Sequence, residues 1–306
     1  MLSGVDNFAS TTLFNFVAQQ LSTNESNAFA SNRFEGKIES QRKTELLEHA
    51  LNALGASALI SIGQGIRGEQ SDPTLAVLLR ADTPNDLMQR WQRLERYYHG
   101  KHRTRTIDST HNLLRIEHYS TTRKNPSAGE DLLIAGLLSA LLQLVGCRYL
   151  TLGIGDPNIR FIDQDHIVGE AHTPHHTSVW TIRWQSFQPS VQLVPRRPGA
   201  TSVSDRLAAL IASDLCKHWR VSLAAAELAL STRSLQRSLE REHTSFQAIL
   251  RKVRAEQSAA LLAKQSLSLA EIGYTCGFSD QAHFSREFKL RFNMAPSEFA
   301  EIDTAH

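Results

Sequence analysis

The sequence predicts a chain in two parts: an α+β N-terminal domain, followed by an all-α C-terminal domain in which two helix-turn-helix motifs are joined by a long helix. Three observations lead there. The stretch Val194-Pro-Arg-Arg-Pro-Gly-Ala-Thr-Ser202 can continue neither a helix nor a sheet ladder, so it reads as a break between domains. Before it, period-2 and period-3.6 apolar patterns are mixed. After it every apolar pattern is helical, and helix-start residues recur at short intervals. The division is therefore residues 1–195 as a sensor or dimerisation domain, 196–203 as linker and 204–306 as a helical domain.

In the N-terminal part, Gln41 to Leu54 and Thr83 to His99 have helical spacing, the second with Thr83 as N-cap ahead of Pro84 and with Leu87, Trp91, Leu94 and Tyr98 on one face. Arg103 to Ile107 and Asn112 to Ser120 read as strands, with Leu114, Ile116 and His118 alternating against Arg115, Glu117 and Tyr119. Asp131 to Val145 is an apolar helix, and Arg148 to Ile154, Asp156 to Phe161 and Ser178 to Phe187 are further strands. The order β-β-α-β-β predicts that helix packed on a sheet.

In the C-terminal part the helices run Ser204 to His218, Leu223 to Leu228, Thr232 to Glu242, Ser245 to Lys264, Leu269 to Thr275, Asp280 to Arg291 and Pro296 to Ile302. Thr244 with Gln247, and Ser268 with Glu271, fit the reciprocal capping box; Ser222, Ser231 and Ser279 stand at single N-cap positions. Leu235 and Leu239, four apart, seat one helix on its Ala-rich predecessor and leave Arg233, Gln236 and Arg237 outward. Phe284, Phe288 and Phe292 form the buried stripe of the second motif, opposite Gln281, Ala282, Ser285 and Arg286, with Gly277 at the turn. Arg and Gln carry the paired donors that match guanine and adenine edges in a major groove. Ser231, Arg241, Ser279, His283, Lys289 and Arg291 flank these faces as candidate phosphate contacts. The intervening helix of about 30 Å suits two recognition helices in successive major grooves, about 34 Å apart on duplex DNA.

Residues from about 204 to 302 resemble the DNA-binding domain of the AraC/XylS family of bacterial transcription regulators, almost position by position over Leu269-Ala-Glu-Ile-Gly-Tyr-Thr-Cys-Gly-Phe-Ser-Asp-Gln-Ala-His-Phe-Ser-Arg-Glu-Phe-Lys-Leu-Arg-Phe-Asn-Met-Ala-Pro-Ser-Glu-Phe299. Ser231-Thr-Arg-Ser-Leu-Gln-Arg237 is similar to the family's first recognition helix. The resemblance implies base contacts by Arg233, Gln236, Arg237, Gln281, Ala282, Ser285 and Arg286. It also implies double-stranded DNA and RNA polymerase as partners, an N-terminal domain that binds a small-molecule effector, and a possible homodimer. Two departures stand out: Ala229 sits where the family has glycine, and Phe299-Ala300 where it has Tyr-Arg. The N-terminal layout over residues 83–187 resembles the ornithine-utilisation type of regulator more than a cupin barrel.

Composition narrows the rest. At 41% hydrophobic and 21% charged the chain has a globular rather than a disordered balance, and a net charge of +2 means that nucleic-acid binding must come from a local surface. The helical domain carries 13 Lys+Arg against 12 Asp+Glu, which favours the alternative of an interaction protein that docks another regulator without binding DNA. Cys147, Cys216 and Cys276 read as buried thiols of a reducing compartment. The apolar run Leu132 to Val145 falls short of the ~20 residues of a membrane span, so a cytoplasmic location without membrane contact is expected. Trp91, Tyr98, Trp180 and Trp184 are candidates to line an effector pocket. The cluster Asp163, Asp165, His166, Glu170, His172, His175 and His176 has metal-ligand chemistry but no fixed geometry, and reads first as a solvated loop, as does the basic run His99 to Arg105. No catalytic constellation emerges; neither an enzyme nor a cofactor is expected.

Overall fold

The computed structural model describes residues 40–68, 73–98, 101–168, 174–189, 202–264 and 266–302. The chain separates into two compact units, Met1–Ser190 and Val191–His306. Most of the Pro-rich stretch expected as linker lies outside the described residues.

The first unit contains helices α1 (Ser40–Leu54), α2 (Ala56–Gln64), α3 (Pro73–Leu79), α4 (Pro84–Tyr98) and α5 (Ala128–Val145). Its strands are β1 (His102–Thr110), β2 (Leu113–Ser120), β3 (Cys147–Arg148), β4 (Thr151–Ile154), β5 (Asp156–Asp163), β6 (His166–Ile167), β7 (Val179–Arg183) and β8 (Ser186–Phe187). Six of them form one sheet in the order β1-β2-β7-β4-β5-β6, and β3 pairs with β8 apart from it. Every pairing is antiparallel. Leu114, Ile116, Trp180, Ile182, Leu152 and Ile154 are fully buried on the inner face, as the alternation in β2 predicts.

Two expected strands are each broken in two. The Arg148 to Ile154 run breaks at Tyr149, whose φ is 54°, because the Asp165 carboxylate accepts the backbone N–H of Tyr149 at 2.7 Å and of Leu150 at 2.8 Å. The Ser178 to Phe187 run breaks at Trp184, where the N–H of Trp184 turns to the carbonyl of Asn112 and that of Gln185 to Arg148. The basic run expected as a loop is mostly strand: His102 to Arg105 open β1, and Arg105 pairs with Glu117 across to β2 at 2.5 Å.

Helix α5 begins at a Ser127–Glu130 capping box, ahead of the expected Asp131. Asp131 is buried, its carboxylate meeting His118 Nδ1 at 2.7 Å and accepting from the Thr177 hydroxyl at 2.5 Å. A buried carboxylate is tolerable only when so satisfied, and this one ties α5 to β2 and to the chain entering β7. Thr83 does cap α4, its hydroxyl accepting the N–H of Asp86 at 3.1 Å. Helices α2 and α3 were not expected. Ala56, Leu59, Ile60, Ile62 and Gly63 of α2 are buried, and Ser57, Ser61 and Gln64 form only a narrow polar edge over nine residues, too short to mark a helical period. α2 crosses α5 where two glycines meet: a Cβ on Gly63 would lie 2.3 Å from the carbonyl oxygen of Leu133, and one on Gly136 2.3 Å from that of Ile60.

Of the four aromatics considered as pocket lining, the three tryptophans do not form a wall. Trp91, Trp180 and Trp184 are core side chains, with the indole N–H of Trp91 donated to Glu95 at 2.7 Å and that of Trp180 to the Thr177 carbonyl at 2.7 Å. The side chain of Tyr98 lies outside the described residues. The Asp/His cluster is likewise dispersed. Asp165 holds the β3–β4 turn, Asp163 accepts from Thr151 and Arg160, and His166, His175 and His176 are exposed; Glu170 and His172 lie outside the described residues. Among the described residues no three potential metal ligands come together. α5 is apolar enough to cross a membrane by composition, but 89% of it is buried within its unit.

Two outcomes test this core. Gly136→Ala places a methyl group against backbone, where neither side can yield cheaply, and is expected to cost roughly 1–3 kcal/mol, read as a lower urea midpoint by circular dichroism. Glu95, fully buried, accepts the Thr104 N–H and hydroxyl and the Trp91 indole, yet burial raises its pKa from 4.5 to about 7. Between those values the folded chain holds a proton that the unfolded chain releases, so stability falls as pH rises from about 4.5 to about 7. Urea midpoints measured across that window are expected to decline in the wild type more steeply than in Glu95→Gln.

Candidate nucleic-acid interface

The second unit consists, among its described residues, of helices and turns: α6 (Val203–Ser213), α7 (Val221–Glu227), α8 (Thr232–Arg241), α9 (Phe246–Lys264), α10 (Leu269–Thr275), α11 (Gln281–Phe292) and α12 (Pro296–Ile302). α6 stops five residues before the expected His218. The Asp214 carboxylate accepts the N–H groups of Cys216 and Lys217, and its carbonyl accepts the Trp219 indole, folding the chain into a turn.

The first motif is α7, a turn and α8. Ala224, Ala225 and Leu228 pack against Leu235 and Leu239, all buried in one cluster. Small alanines let the helices approach closely. Ala229 turns the chain at φ 56°, a left-handed conformation that costs a residue with a Cβ roughly 1–2 kcal/mol. Ser231 then caps α8, accepting the Ser234 N–H at 3.0 Å. Ser222 is not an N-cap; it lies inside α7, whose cap position, Arg220, makes no side-chain cap bond. With the leucines inward, Arg233, Gln236, Arg237 and Arg241 are exposed. None of the three arginines enters an ion pair among the described residues.

The second motif is α10, a turn and α11. The capping box is present as expected, with Ser268 N–H donating to Glu271 at 2.6 Å and Glu271 N–H to Ser268 at 3.3 Å. Gly277 has φ 80°, and a Cβ there would lie 2.0 Å from the Leu215 carbonyl oxygen, so only glycine fits. The N-cap of α11 is Asp280 rather than Ser279, accepting the His283 N–H at 2.8 Å. Ser279 instead meets His283 Nδ1 through its N–H at 3.2 Å and its hydroxyl at 3.0 Å. Phe284 and Phe288 are buried, Phe292 partly so, and Phe299 of α12 packs on Phe288 and Phe292 with ring centroids 5.4 and 5.8 Å away. The departure at Phe299 therefore serves packing.

On the outer side of α11, Ala282, Arg286 and Lys289 are exposed and Gln281 and Ser285 half-buried. Two candidate phosphate contacts have other engagements. Burial holds the His283 imidazole below its usual pKa, and its Nε2 lies 4.0 Å from Glu287. Arg291 pairs with Glu256 at 2.8 Å. The sequence reading missed Leu290, which is 79% exposed on this face. An isolated leucine among Lys289 and Arg291 carries no periodic signal that sets it apart from core.

Between the motifs α9 runs for 19 residues, about 28 Å at 1.5 Å per residue. Its cap is Ser245, which accepts the Ala248 N–H at 3.2 Å; the expected Thr244–Gln247 box does not form.

A helix-turn-helix domain family matches residues 224–302. The C-terminal unit contains an AraC/XylS-type domain. Relatives include the transcriptional activator AggR of Escherichia coli, 32% identical over 96 residues, covering 31% of this chain and 36% of the relative. Another is the urease operon transcriptional activator of Escherichia coli, 34% identical over 90 residues, or 29% of this chain and 30% of that protein. The TCP pilus virulence regulatory protein of Vibrio cholerae is 28% identical over 95 residues, 31% and 34% of the two chains. The chain thus spans about a third of the length of the curated relatives it matches. All three are named as regulators, none as an enzyme. Among solved structures, a ToxT structure from Vibrio cholerae is 26% identical with a TM-score of 0.33, covering 35% of this chain and 41% of that one. A DNA-binding transcriptional dual regulator from Escherichia coli K-12 is 22% identical with a TM-score of 0.35, covering 36% and 100%.

The turn at Ala229 offers a direct test. Glycine there removes left-handed strain but adds freedom to the unfolded chain, and the two together predict that Ala229→Gly stabilises by roughly 0.5–1 kcal/mol. A higher urea midpoint at unchanged slope is the expected result; a lower one would mean that the Ala229 methyl packs in a way its exposure does not suggest.

Proposed function

We propose that this chain is a sequence-specific DNA-binding transcription regulator. In this reading α8 and α11 enter successive major grooves of double-stranded DNA. Arg233, Gln236 and Arg237 face bases in one groove, and Gln281, Ala282, Ser285 and Arg286 in the other. Ser231, Arg241, Ser279 and Lys289 border the phosphates. The observation that carries the reading is a pair of capped, outward-facing helices held by a single rod, the first with three exposed arginines that enter no ion pair among the described residues. The resemblance to named transcriptional activators supports activation, through contact with RNA polymerase, as the output.

The N-terminal unit is proposed as the sensor, taking a small effector and serving dimerisation, so that effector binding shifts the balance between arrangements of the DNA-reading halves. Because Trp91, Trp180 and Trp184 are core residues, an effector reaches them only by displacing part of that core. A regulator of this kind works in the cytoplasm, where its DNA lies. One observation favours a second reading, docking of another regulator without DNA: the near balance of 13 basic and 12 acidic residues after residue 200. Salt separates the two, since phosphate contacts release counterions and weaken steeply with salt, whereas apolar docking does not.

The test begins with selection from a randomised duplex library by the purified chain at two salt concentrations, followed by binding of variants to the recovered operator. Arg237→Ala and Arg286→Ala are each expected to cost about 1–3 kcal/mol and to relax preference at one position of the operator. Unchanged affinity and preference in both would remove α8 and α11 as readers.

A further inference from the structure

The surface between the two recognition helices has a structure of its own. A groove of about 550 Å³ lies beside the C-terminal half of α8, walled by Gln236 of that helix and by Gln247 of α9. A second, of about 290 Å³, lies between α9 and the start of α11, walled by Gln247, Arg251, Arg254 and His283. Gln247 borders both, so the grooves meet along one strip of α9 that leads from the first recognition helix to the N-terminus of the second. Positions 247, 251 and 254 stand at i, i+4 and i+7, which is one helix face. Arg251 is exposed, and among the described residues its Nε makes one long bond, 3.4 Å, to the Gln247 carbonyl of its own helix. Arg254 is anchored by Nη2 to the Leu215 carbonyl at 3.1 Å, which fixes a second positive charge one turn on. Carboxylates also border the grooves: Glu287 faces His283, and Glu240 lies on the α8 side.

We propose that this strip is a third DNA contact, in which Arg251, flanked by Gln247 and Arg254, takes a backbone phosphate of the duplex between the two half-elements. The inference rests on the DNA-binding reading above and deepens it. A duplex that offers successive major grooves to α8 and α11, about 34 Å apart, must carry the intervening phosphate ridge across α9. Arg251 is the exposed cation on that path, and a phosphate oxygen is a better partner for its guanidinium than a distant carbonyl. Such a contact carries no base information. It positions the duplex, and so holds the spacing of the two half-elements to one value.

The experiment uses the full chain and the selected operator, with affinity measured by fluorescence anisotropy over a range of salt concentrations. Arg251→Gln is expected to weaken operator and unrelated duplex by the same factor and to lower the salt slope by about one, leaving base preference intact. Arg251→Lys restores the slope. Lys252→Gln, an exposed cation on another face of α9, leaves it unchanged. A duplex with neutral methylphosphonates between the half-elements weakens wild type but not Arg251→Gln. An unchanged slope in Arg251→Gln, or equal weakening of both proteins by the methylphosphonates, overturns the contact while the readers α8 and α11 stand on their own variants. A wild-type chain that selects no duplex overturns both.

Discussion

One helix is the wall of two hydrophobic cores, and the arrangement of the C-terminal unit follows from that. Phe246, Ile249, Leu250 and Val253 in the first half of α9 are buried with Leu235 and Leu239 of the first motif. Leu262 in its second half is buried with Ile272, Phe278, Phe284 and Phe288 of the second. A helix is stiff over this length, so fixing each motif to it fixes the motifs to each other. Leu215, in the turn after α6, touches both cores, and its carbonyl receives Arg254 from α9. That carbonyl is also the atom that forbids a side chain at Gly277. The turn of the second motif is thus shaped by a residue some sixty positions earlier in the chain.

This dependence decides what the sequence made legible. Caps and amphipathic leucines are local signals. Ser231, the Ser268–Glu271 box, Leu235 and Leu239, and the outward arginines of α8 were all readable from short windows, and the structure places them as read. Where two polar residues adjoin, as at Thr244–Ser245 and Ser279–Asp280, either can cap, and the choice belongs to the backbone path that tertiary packing sets. The helix boundaries at Ser213 and Ala128 moved for the same reason, because Asp214 and Ser127 redirect backbone N–H groups.

The N-terminal unit was less legible because its decisive contacts are long-range. Asp165 breaks a strand 15 residues away in sequence by taking two of its N–H groups. Asp131 looks like a polar helix start and is instead a buried partner of His118 and Thr177. α2 is short and mostly buried, and its polar edge of Ser57, Ser61 and Gln64 is too brief and too weak to set off the period by which a helix is recognised. The aromatics fail in the opposite way: a tryptophan suits a pocket wall and a core equally well by composition, and only the commitment of its N–H decides between them.

The near-neutral charge of the C-terminal unit reads differently once its acids are located. Asp214, Glu242, Glu271, Asp280 and Glu298 accept backbone N–H groups at turns and helix starts. Glu227 and Glu256 pair with Lys217 and Arg291. These seven carboxylates are held at particular turns, helix starts and ion pairs. The Glu242 and Asp280 carboxyls are below their usual pKa: for Glu242 chiefly through bonds from Ser204, for Asp280 in spite of burial, through bonds from His283 and Ser279. The basic residues divide otherwise, with Arg233, Arg237 and Arg241 exposed on α8 and in no ion pair among the described residues, and Arg251 exposed on the strip beside it. A sum over residues counts a carboxylate fixed at a helix start and an arginine facing solvent as cancelling. The first is already compensated by the N–H donors or the cation that hold it, so an approaching polyanion is repelled by it less than it is attracted by the second. Bulk neutrality is therefore compatible with a cationic reading face.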